Sequence, residues 1–243
     1  MEKEALIIFA RLPVPGKVKT RLAAGVGPEL ACTFYKCCSE YIMSETTRLK
    51  NVKKYLFYSS EQEFDGVKQW LEDNSLGEHL QTMCQDQTPD LGHRMSNAFE
   101  TVLLNAEVSK AVIIGTDVPD LNAEVISAAF SALDNAEVVA GPAVDGGYYL
   151  LGMKEFHPEL FQGIEWSTET VLQATQAAAK AANLFVAPAN SIPTLQDIDT
   201  VSDLEAWYKD ASKGHRLKES VDHELRQTLT NNDTTPAQPR RQG

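Results

Sequence analysis

The sequence predicts an α/β fold on a mostly parallel sheet, because apolar runs alternate with amphipathic segments along its first half. The runs at 5–9 and 111–115 are continuously apolar, which is typical of parallel strands buried on both faces. Two further runs, 136–141 and 147–153, are close neighbours, with only turn residues between them. We therefore expect a mixed sheet that is parallel in its first half and partly antiparallel in its second.

The remaining elements follow from the same periodicities. The aromatic run 54–58 and the short runs 80–84 and 184–187 predict strands. Segments with apolar residues at every third or fourth position predict helices over 28–49, 61–73, 93–106, 122–133, 167–182 and from 200 or 202 onward. Ser167 is expected to begin its helix, because serine is favoured at the N-cap. The apolar-poor stretch 231–243 predicts a disordered tail.

Composition restricts both the domain organisation and the class of function. No linker divides the chain, so we expect one domain over 1–213 and a C-terminal extension over 214–243 whose end is disordered. The net charge of −12 argues against binding to nucleic acid, which favours basic surfaces. No apolar run approaches the roughly 20 residues that span a bilayer, and because the first residues lead directly into a predicted strand, we expect no signal peptide. These features predict a cytoplasmic protein.

A cationic loop follows the first predicted strand. It carries Arg11, Lys17, Lys19 and Arg21 and no acidic residue, although the protein as a whole is acidic. Two prolines and a glycine restrict its path. Ligands of open α/β sheets bind beyond the carboxyl ends of the strands, so the loop predicts an anion site, above all for phosphate. The alternative is a solvated basic loop.

Two acidic motifs are candidates for metal ligands. Asp117 comes two residues after the predicted strand 111–115, where a loop carboxylate can hold Mg²⁺ or Mn²⁺ against phosphate oxygens. The alternative for Asp117 is a turn or a helix cap, and Asp120 is expected to cap the next helix. The motif 196–201 contains Asp199, which offers either a helix cap or a second carboxylate for the same metal.

A glycine-rich segment, 141–149, holds a single acidic residue, Asp145. Its paired glycines, Gly146 and Gly147, allow either a sharp hairpin or a close approach of the backbone to a ligand. Asp145 is a candidate general base for an acceptor hydroxyl. The sequence leaves both interpretations open.

The stretch Asp90-Leu91-Gly92-His93-Arg94-Met95 is expected to begin a helix after the third strand. Backbone N–H groups at a helix start bind anions, so Asp90 and Gly92 are candidates for contact with a nucleotide.

Six motifs occur in an order that resembles a known family: FARLPVPGKVKTRL, DLGHRM, GTDVPDL, GPAVDGGYYLLG, IEWSTETV and DIDTVSDL. Over about residues 5–208 the chain resembles a poorly characterised family of GT-A-fold nucleotide-diphospho-sugar transferases and glycosyltransferases. More distantly, it is similar to phospholactate and molybdopterin guanylyltransferases. The resemblance implies a Rossmann-like GT-A fold, a three-layer α/β/α arrangement with a mostly parallel mixed sheet that binds a nucleotide diphosphate on its first half.

The resemblance also implies a function. It implies a transferase that uses a nucleotide sugar as donor, with Mg²⁺ or Mn²⁺, and transfers a glycosyl group to a small-molecule acceptor. One alternative is nucleotidyl transfer from a nucleoside triphosphate with release of pyrophosphate, and another is non-catalytic nucleotide binding. Glycosyltransferases of this fold usually carry a D-x-D triplet, whereas this chain has Asp117-Val118-Pro119, which is closer to the nucleotidyltransferase pattern.

Position and resemblance together assign roles to individual residues. The predicted catalytic residues are Asp117, Lys19 and Asp145, and the predicted metal ligands are Asp117 and Asp199. The residues predicted to bind the nucleotide and its phosphates are Ala10, Arg11, Lys17, Lys19, Arg21, Asp90 and Gly92. The residues predicted on the acceptor side are Gly146, Gly147 and Tyr148.

Overall fold

The structure, a computed structural model, describes residues 3–104, 108–210 and 215–223. In these ranges the strands are β1 (Glu4–Ala10), β2 (Val52–Tyr58), β3 (Leu80–Cys84), β4 (Lys110–Ile114), β5 (Val138–Pro142) and β6 (Tyr148–Met153). The helices are α1 (Thr20–Val26), α2 (Pro28–Thr46), α3 (Phe64–Asp73), α4 (Leu91–Leu103), α5 (Ala123–Ala132), α6 (Val171–Ala181), α7 (Val201–Asp210) and α8, residues 216–223.

Backbone contacts group the chain into two compact units. The first unit comprises the residues up to Leu12 together with Cys38–Ile198, and the second comprises Pro13–Cys37 and the residues from Asp199 onward. The predicted boundary at 213 and the predicted tail at 231–243 lie outside the described residues, so both stay predictions.

The first unit contains one six-stranded sheet with the order β3-β2-β1-β4-β6-β5. The strands from β3 to β4 are parallel to their neighbours, whereas β6 is antiparallel to both β4 and β5. The predicted α/β fold with a mostly parallel, mixed sheet is therefore confirmed. The change of direction arises because β5 and β6 form a hairpin, which needs no helical crossover.

The core of the first unit forms on the strands that the sequence marks as continuously apolar. Ile7 of β1 and Ile113 of β4 are buried in one cluster with Phe99 of α4. The alternate residues of β1, Leu6 and Ile8, are also fully buried. A strand buried on both faces must be apolar at every position, which explains why these runs lack alternation.

Three segments differ from the helices and strands that the sequence predicts. Helix α1, which begins within the cationic loop and ends beyond it, was not expected from its seven residues. The predicted strand 184–187 forms only an isolated bridge, between Val186 and Val138. The helix expected at Ser167 begins at Val171 instead, because Ser167 adopts a left-handed φ of 65° that interrupts a helix.

In the second unit, aromatic side chains join α2, α7 and α8. Trp207 of α7 packs edge-on against Phe34, with ring centroids 5.8 Å apart, and against His215, 5.7 Å away. Lys218 lies 4.3 Å from the centre of the Tyr208 ring and donates a 2.8 Å hydrogen bond to the Tyr208 carbonyl. The predicted extension therefore begins with a packed helix.

Within residues 3–104, 108–210 and 215–223, no helix is both long enough and apolar enough to cross a bilayer. The cytoplasmic location stays a prediction.

Candidate functional site

The carboxyl ends of four parallel strands define one rim of the sheet in the first unit. Ala10 pairs with Tyr58, and Tyr58 pairs with Cys84, so Arg11 and Gln85 begin the connections that leave β1 and β3 at one level. Ile8 pairs with Ile114, and Asp117 comes three residues after Ile114, as Arg11 comes three residues after Ile8. The register thus places Arg11 and Asp117 on the same rim, as the sequence predicts.

The backbone before Asp117 is held by buried hydrogen bonds. The Ser39 hydroxyl donates to the carbonyl oxygen of Thr116 at 3.2 Å and contacts the Thr116 hydroxyl at 3.1 Å. The cap of α5 is Asn122, whose side-chain oxygen accepts a 3.0 Å bond from the Val125 amide. Asp117 is therefore not a helix cap, and the prediction that Asp120 caps this helix is wrong, because Asn122 is the residue immediately before the first turn.

The carboxylate of Asp197 lies close to that of Asp117 in the first unit. The Ile198 amide donates a 3.4 Å hydrogen bond to the Asp117 carbonyl, which brings this late segment to the end of β4. Carboxylate oxygens of Asp117 and Asp197 lie within 4.8 Å of each other. Both residues are partly exposed, and paired carboxylates are the ligands that hard cations such as Mg²⁺ and Mn²⁺ prefer. This donor set fits the predicted metal.

The glycine-rich segment forms the turn of the β5–β6 hairpin. Asp145 is exposed, and its Oδ1 accepts a 2.9 Å bond from the Gly147 amide within the turn. Gly146 has a φ of 89°, and a Cβ built on it would lie 2.1 Å from the carbonyl oxygen of Glu169. The hairpin and its contact with Glu169 therefore account for Gly146 without a ligand. A role for Asp145, Gly146 and Gly147 toward an acceptor stays a prediction.

Tyr148 follows this turn at the start of β6. Its ring packs edge-on against Trp166, with centroids 6.5 Å apart and planes at 90°. The hydroxyl oxygen is buried, and this burial raises the pKa of the Tyr148 phenol above its ordinary value. The structure thus places Tyr148 as a packing residue beneath the turn, and its predicted contact with the acceptor is untested.

A pair of glycine substitutions tests the packing of the hairpin turn. Gly146→Ala is expected to lower the free energy of unfolding by about 2–4 kcal/mol, because the new methyl group meets the Glu169 backbone and φ is positive. Gly163→Ala is the matched control, since Gly163 has a φ of 69° and no atom within 4 Å of its Cβ position. Urea unfolding followed by circular dichroism measures both; equal losses would contradict the assigned contact.

The start of α4 is capped and closely packed. The Asp90 carboxylate accepts a 2.6 Å bond from the His93 amide, so Asp90 is the N-cap of this helix. A Cβ on Gly92 would lie 2.3 Å from Nε1 of Trp166. Capping and packing therefore explain both residues locally, and their contact with a nucleotide stays a prediction.

In the second unit, the cationic loop contains a tight turn and a buried lysine. The Lys17 amide donates a 3.0 Å bond to the Val14 carbonyl, and Gly16 has a φ of 78°, as in a type II turn with proline before glycine. Lys17 and Arg21 are exposed, but only 6% of the Lys19 side chain is accessible. The alternative of a solvated basic loop is therefore excluded for the Lys19 side chain.

Asp199 is the partner of this lysine within the second unit. Its Oδ1 lies 2.8 Å from the Lys19 ammonium, and its Oδ2 lies 3.5 Å from the Arg21 guanidinium. The cap of α7 is provided by others: Thr200 and Asp203 exchange backbone and side-chain bonds in a capping box. The alternative that Asp199 caps the helix is thus excluded. Lys19 and Arg21 thus share the Asp199 carboxylate, whereas Lys17 is exposed.

The profile of the family described as "Uncharacterized protein conserved in bacteria (DUF2064)" matches residues 42–168, more than half of the chain. The chain belongs to this family. The matched range runs from α2 through Trp166 and includes Asp90, Asp117 and Asp145. No curated protein matches the sequence.

Solved structures share the fold of this DUF2064 chain. One, from Desulfovibrio desulfuricans G20, is described as a proposed nucleotide-diphospho-sugar transferase; it is 31% identical, with a TM-score of 0.80, over 93% of this chain and 98% of that one. A cytidylyltransferase from Leptospira borgpetersenii is 14% identical, with a TM-score of 0.54, over 100% of both chains. A 4-diphosphocytidyl-2C-methyl-D-erythritol synthase from Anaerococcus prevotii is 11% identical, with a TM-score of 0.53, over 84% of this chain and 96% of that one. The predicted nucleotide-transferase fold is confirmed.

Proposed function

We propose that this protein is a transferase that uses a nucleotide-diphosphate donor and a divalent metal to transfer a glycosyl group to a small-molecule acceptor. The observation that carries the proposal is the carboxylate pair of Asp117 and Asp197 beyond the central strand β4. The proposal is also supported by the 31% sequence identity to a structure described as a proposed nucleotide-diphospho-sugar transferase. An oxygen-ligated cation at such a pair is suited to a diphosphate.

The proposal assigns the phosphates and the metal to different residues. Asp117 and Asp197 would hold Mg²⁺ or Mn²⁺, which when bound would stabilise negative charge on phosphate oxygens. Lys17, Lys19 and Arg21 neutralise the phosphates of the donor. The resemblance also assigns Asp199 to the metal; its carboxylate pairs with Lys19 and Arg21, so this ligand stays a prediction.

Glycosyl transfer requires a base for the acceptor. In the proposed step, an acceptor hydroxyl oxygen attacks the anomeric carbon of the sugar, and the bond from that carbon to the phosphate oxygen breaks with its electron pair. The nucleoside diphosphate leaves, and the proton of the hydroxyl passes to Asp145, whose exposed carboxylate is available to an acceptor. Gly146, Gly147 and Tyr148 shape this side in the proposal, while Ala10, Arg11, Asp90 and Gly92 lie toward the nucleotide.

A second candidate function, nucleotidyl transfer, is favoured by one specific feature. Asp117 is followed by Val118, which is 2% exposed, and by a proline, so the D-x-D triplet of many glycosyltransferases is missing. In this reaction an acceptor oxygen attacks the α-phosphate of a nucleoside triphosphate, and the bond to the β-phosphate oxygen breaks to release pyrophosphate. The two reactions use the same donor-binding groups but break different bonds.

The released product distinguishes the two reactions. The protein is incubated with Mn²⁺, a metabolite extract as the source of acceptors, and either isotope-labelled nucleotide sugars or nucleoside triphosphates. A nucleoside diphosphate formed from a nucleotide sugar supports glycosyl transfer, whereas pyrophosphate formed from a triphosphate supports nucleotidyl transfer. Binding of nucleotides without either product indicates the non-catalytic alternative. Asp117→Asn protein serves as the control for contaminating activities.

A further inference from the structure

An arginine outside the predicted site is held in place by a buried amide. Oε1 of Gln85 accepts a 2.9 Å hydrogen bond from Nη1 of Arg94, and Nε2 of Gln85 donates a 2.9 Å bond to the Phe57 carbonyl. Gln85 is 5% exposed, and its backbone amide donates a 2.8 Å bond to the Tyr58 carbonyl. Because both ends of the amide are committed, Gln85 fixes the orientation of the Arg94 guanidinium.

The same guanidinium has a donor without an acceptor. Nε of Arg94 is buried, and none of the residues described by the structure accepts a hydrogen bond from it. Burial lowers the pKa of Arg94, the nearby charge of Arg11 lowers it further, and Asp90 opposes both effects. A buried donor of this kind is rare unless a ligand or water supplies its acceptor.

The surrounding charges favour an anion at this position. Arg11 begins the connection after β1 on the same rim as Gln85. Its positive charge disfavours the protonated form of Arg94 and so lowers the pKa of that guanidinium. Two acids near Arg94 in the chain make local hydrogen bonds: Asp90 caps α4 through the His93 amide, and Asp86 accepts a 2.9 Å bond from the Thr88 amide. His93 lies 3.8 Å from the second oxygen of Asp86. An oxyanion bound by both guanidinium groups would offset the repulsion between their positive charges.

We propose that Arg94, positioned by Gln85, binds an oxyanion together with Arg11, and that these residues form an anion subsite at the carboxyl ends of β1 and β3. The chemical class of the ligand is a phosphate group. The planar fork of arginine fits the oxygens of phosphate in a bidentate manner, with Nε as one of the two donors. The assignment of this phosphate to the donor or the acceptor rests on the proposed function. The existence of the subsite does not depend on that function.

Inorganic phosphate is the probe for this subsite. The full chain is titrated calorimetrically after Lys17→Gln and Arg21→Gln are introduced, so that phosphate bound by the exposed loop cations does not obscure the result. In this background, Arg94→Gln and Arg94→Lys are each expected to weaken phosphate binding by at least about tenfold, because lysine keeps the charge but lacks the fork and Nε. Lys68→Gln removes one charge from an exposed lysine on α3 and is the matched control, with no expected change.

Each outcome bears on the proposal. Circular dichroism and the thermal midpoint establish that the variants are folded, and Arg94→Lys is the substitution less disruptive to packing. Phosphate binding that is equal in Arg94→Gln, Arg94→Lys and the background protein would overturn the subsite, as would the absence of saturable phosphate binding in the background protein. Nucleotide turnover that is indifferent to Arg94 overturns only the subsite's place in the reaction. Arg94-dependent phosphate binding in a protein that turns over no nucleotide overturns only the proposed function.

Discussion

Asp117→Asn is expected to lower transferase turnover by about 10²- to 10³-fold, because it removes a charged ligand from the proposed metal pair. The amide keeps the shape of the side chain, so the loop after β4, which is held by Ser39 and Thr116, is expected to remain folded. Asp197→Asn is expected to have a similar effect, since its carboxylate lies within 4.8 Å of that of Asp117. The measurement is the initial rate as a function of Mn²⁺ concentration, with the donor that the product-release experiment identifies.

Asp120→Asn provides the matched control for this prediction. Asp120 carries the same charge in the same loop, three residues after Asp117, and it is not the cap of α5. Its replacement is expected to leave the dependence of the rate on Mn²⁺ unchanged. If Asp117→Asn and Asp197→Asn keep the wild-type rate and the wild-type response to Mn²⁺, the metal assignment is wrong.

Lys19→Ala is expected to weaken nucleotide binding by about 10- to 100-fold, because a charge-assisted hydrogen bond to phosphate is lost. It is also expected to lower the free energy of unfolding by about 1–2 kcal/mol, since it breaks a largely buried ion pair whose other member is 41% exposed and still contacts Arg21. Calorimetric titration with nucleoside diphosphates and urea unfolding measure the two effects separately.

The backbone at Lys19 offers a second variant that separates binding from stability. Lys19 has a φ of 46° in the left-handed region, which glycine adopts without strain. Lys19→Gly is expected to bind nucleotide as weakly as Lys19→Ala but to be about 1 kcal/mol more stable. Lys50→Ala, at an exposed lysine outside the loop, is the control. Wild-type affinity in both Lys19 variants would remove this residue from the phosphate-binding set.

The sheet was predictable because its signal is local. A parallel strand buried on both faces needs an uninterrupted apolar run, and 5–9 and 111–115 are such runs. The adjacent runs at 136–141 and 147–153 likewise predict mixed topology in the second half, and the structure resolves the open choice at the turn as a hairpin. Asp117 could be found for the same reason, since it comes two residues after the strongest run. Helix α1 was missed because its seven residues include Gly25, are followed at once by Gly27, and carry little helical pattern.

The partners of these residues were not predictable, because they come from distant parts of the chain. Asp197 reaches Asp117 through the bond from the Ile198 amide to the Asp117 carbonyl, and the local pattern at 196–201 does not contain this contact. In the sequence, Lys19 is one of four similar loop cations, but in the structure its ammonium group is bonded to the carboxylate of Asp199, 180 residues later. Gln85 had a detectable signal, since it follows β3 as Arg11 follows β1, but its amide partners appear only in the folded structure.

The central claim is that this protein binds a nucleotide diphosphate with the help of a divalent metal. The most direct test is calorimetric titration of the wild-type protein with the diphosphates of uridine, guanosine, cytidine and adenosine, with Mn²⁺ and with a chelator. We expect saturable binding of at least one nucleotide in Mn²⁺ that the chelator weakens by at least about tenfold, and that Asp117→Asn no longer shows. Absence of binding for all four nucleotides in Mn²⁺, or binding that is indifferent to the chelator, would contradict the claim.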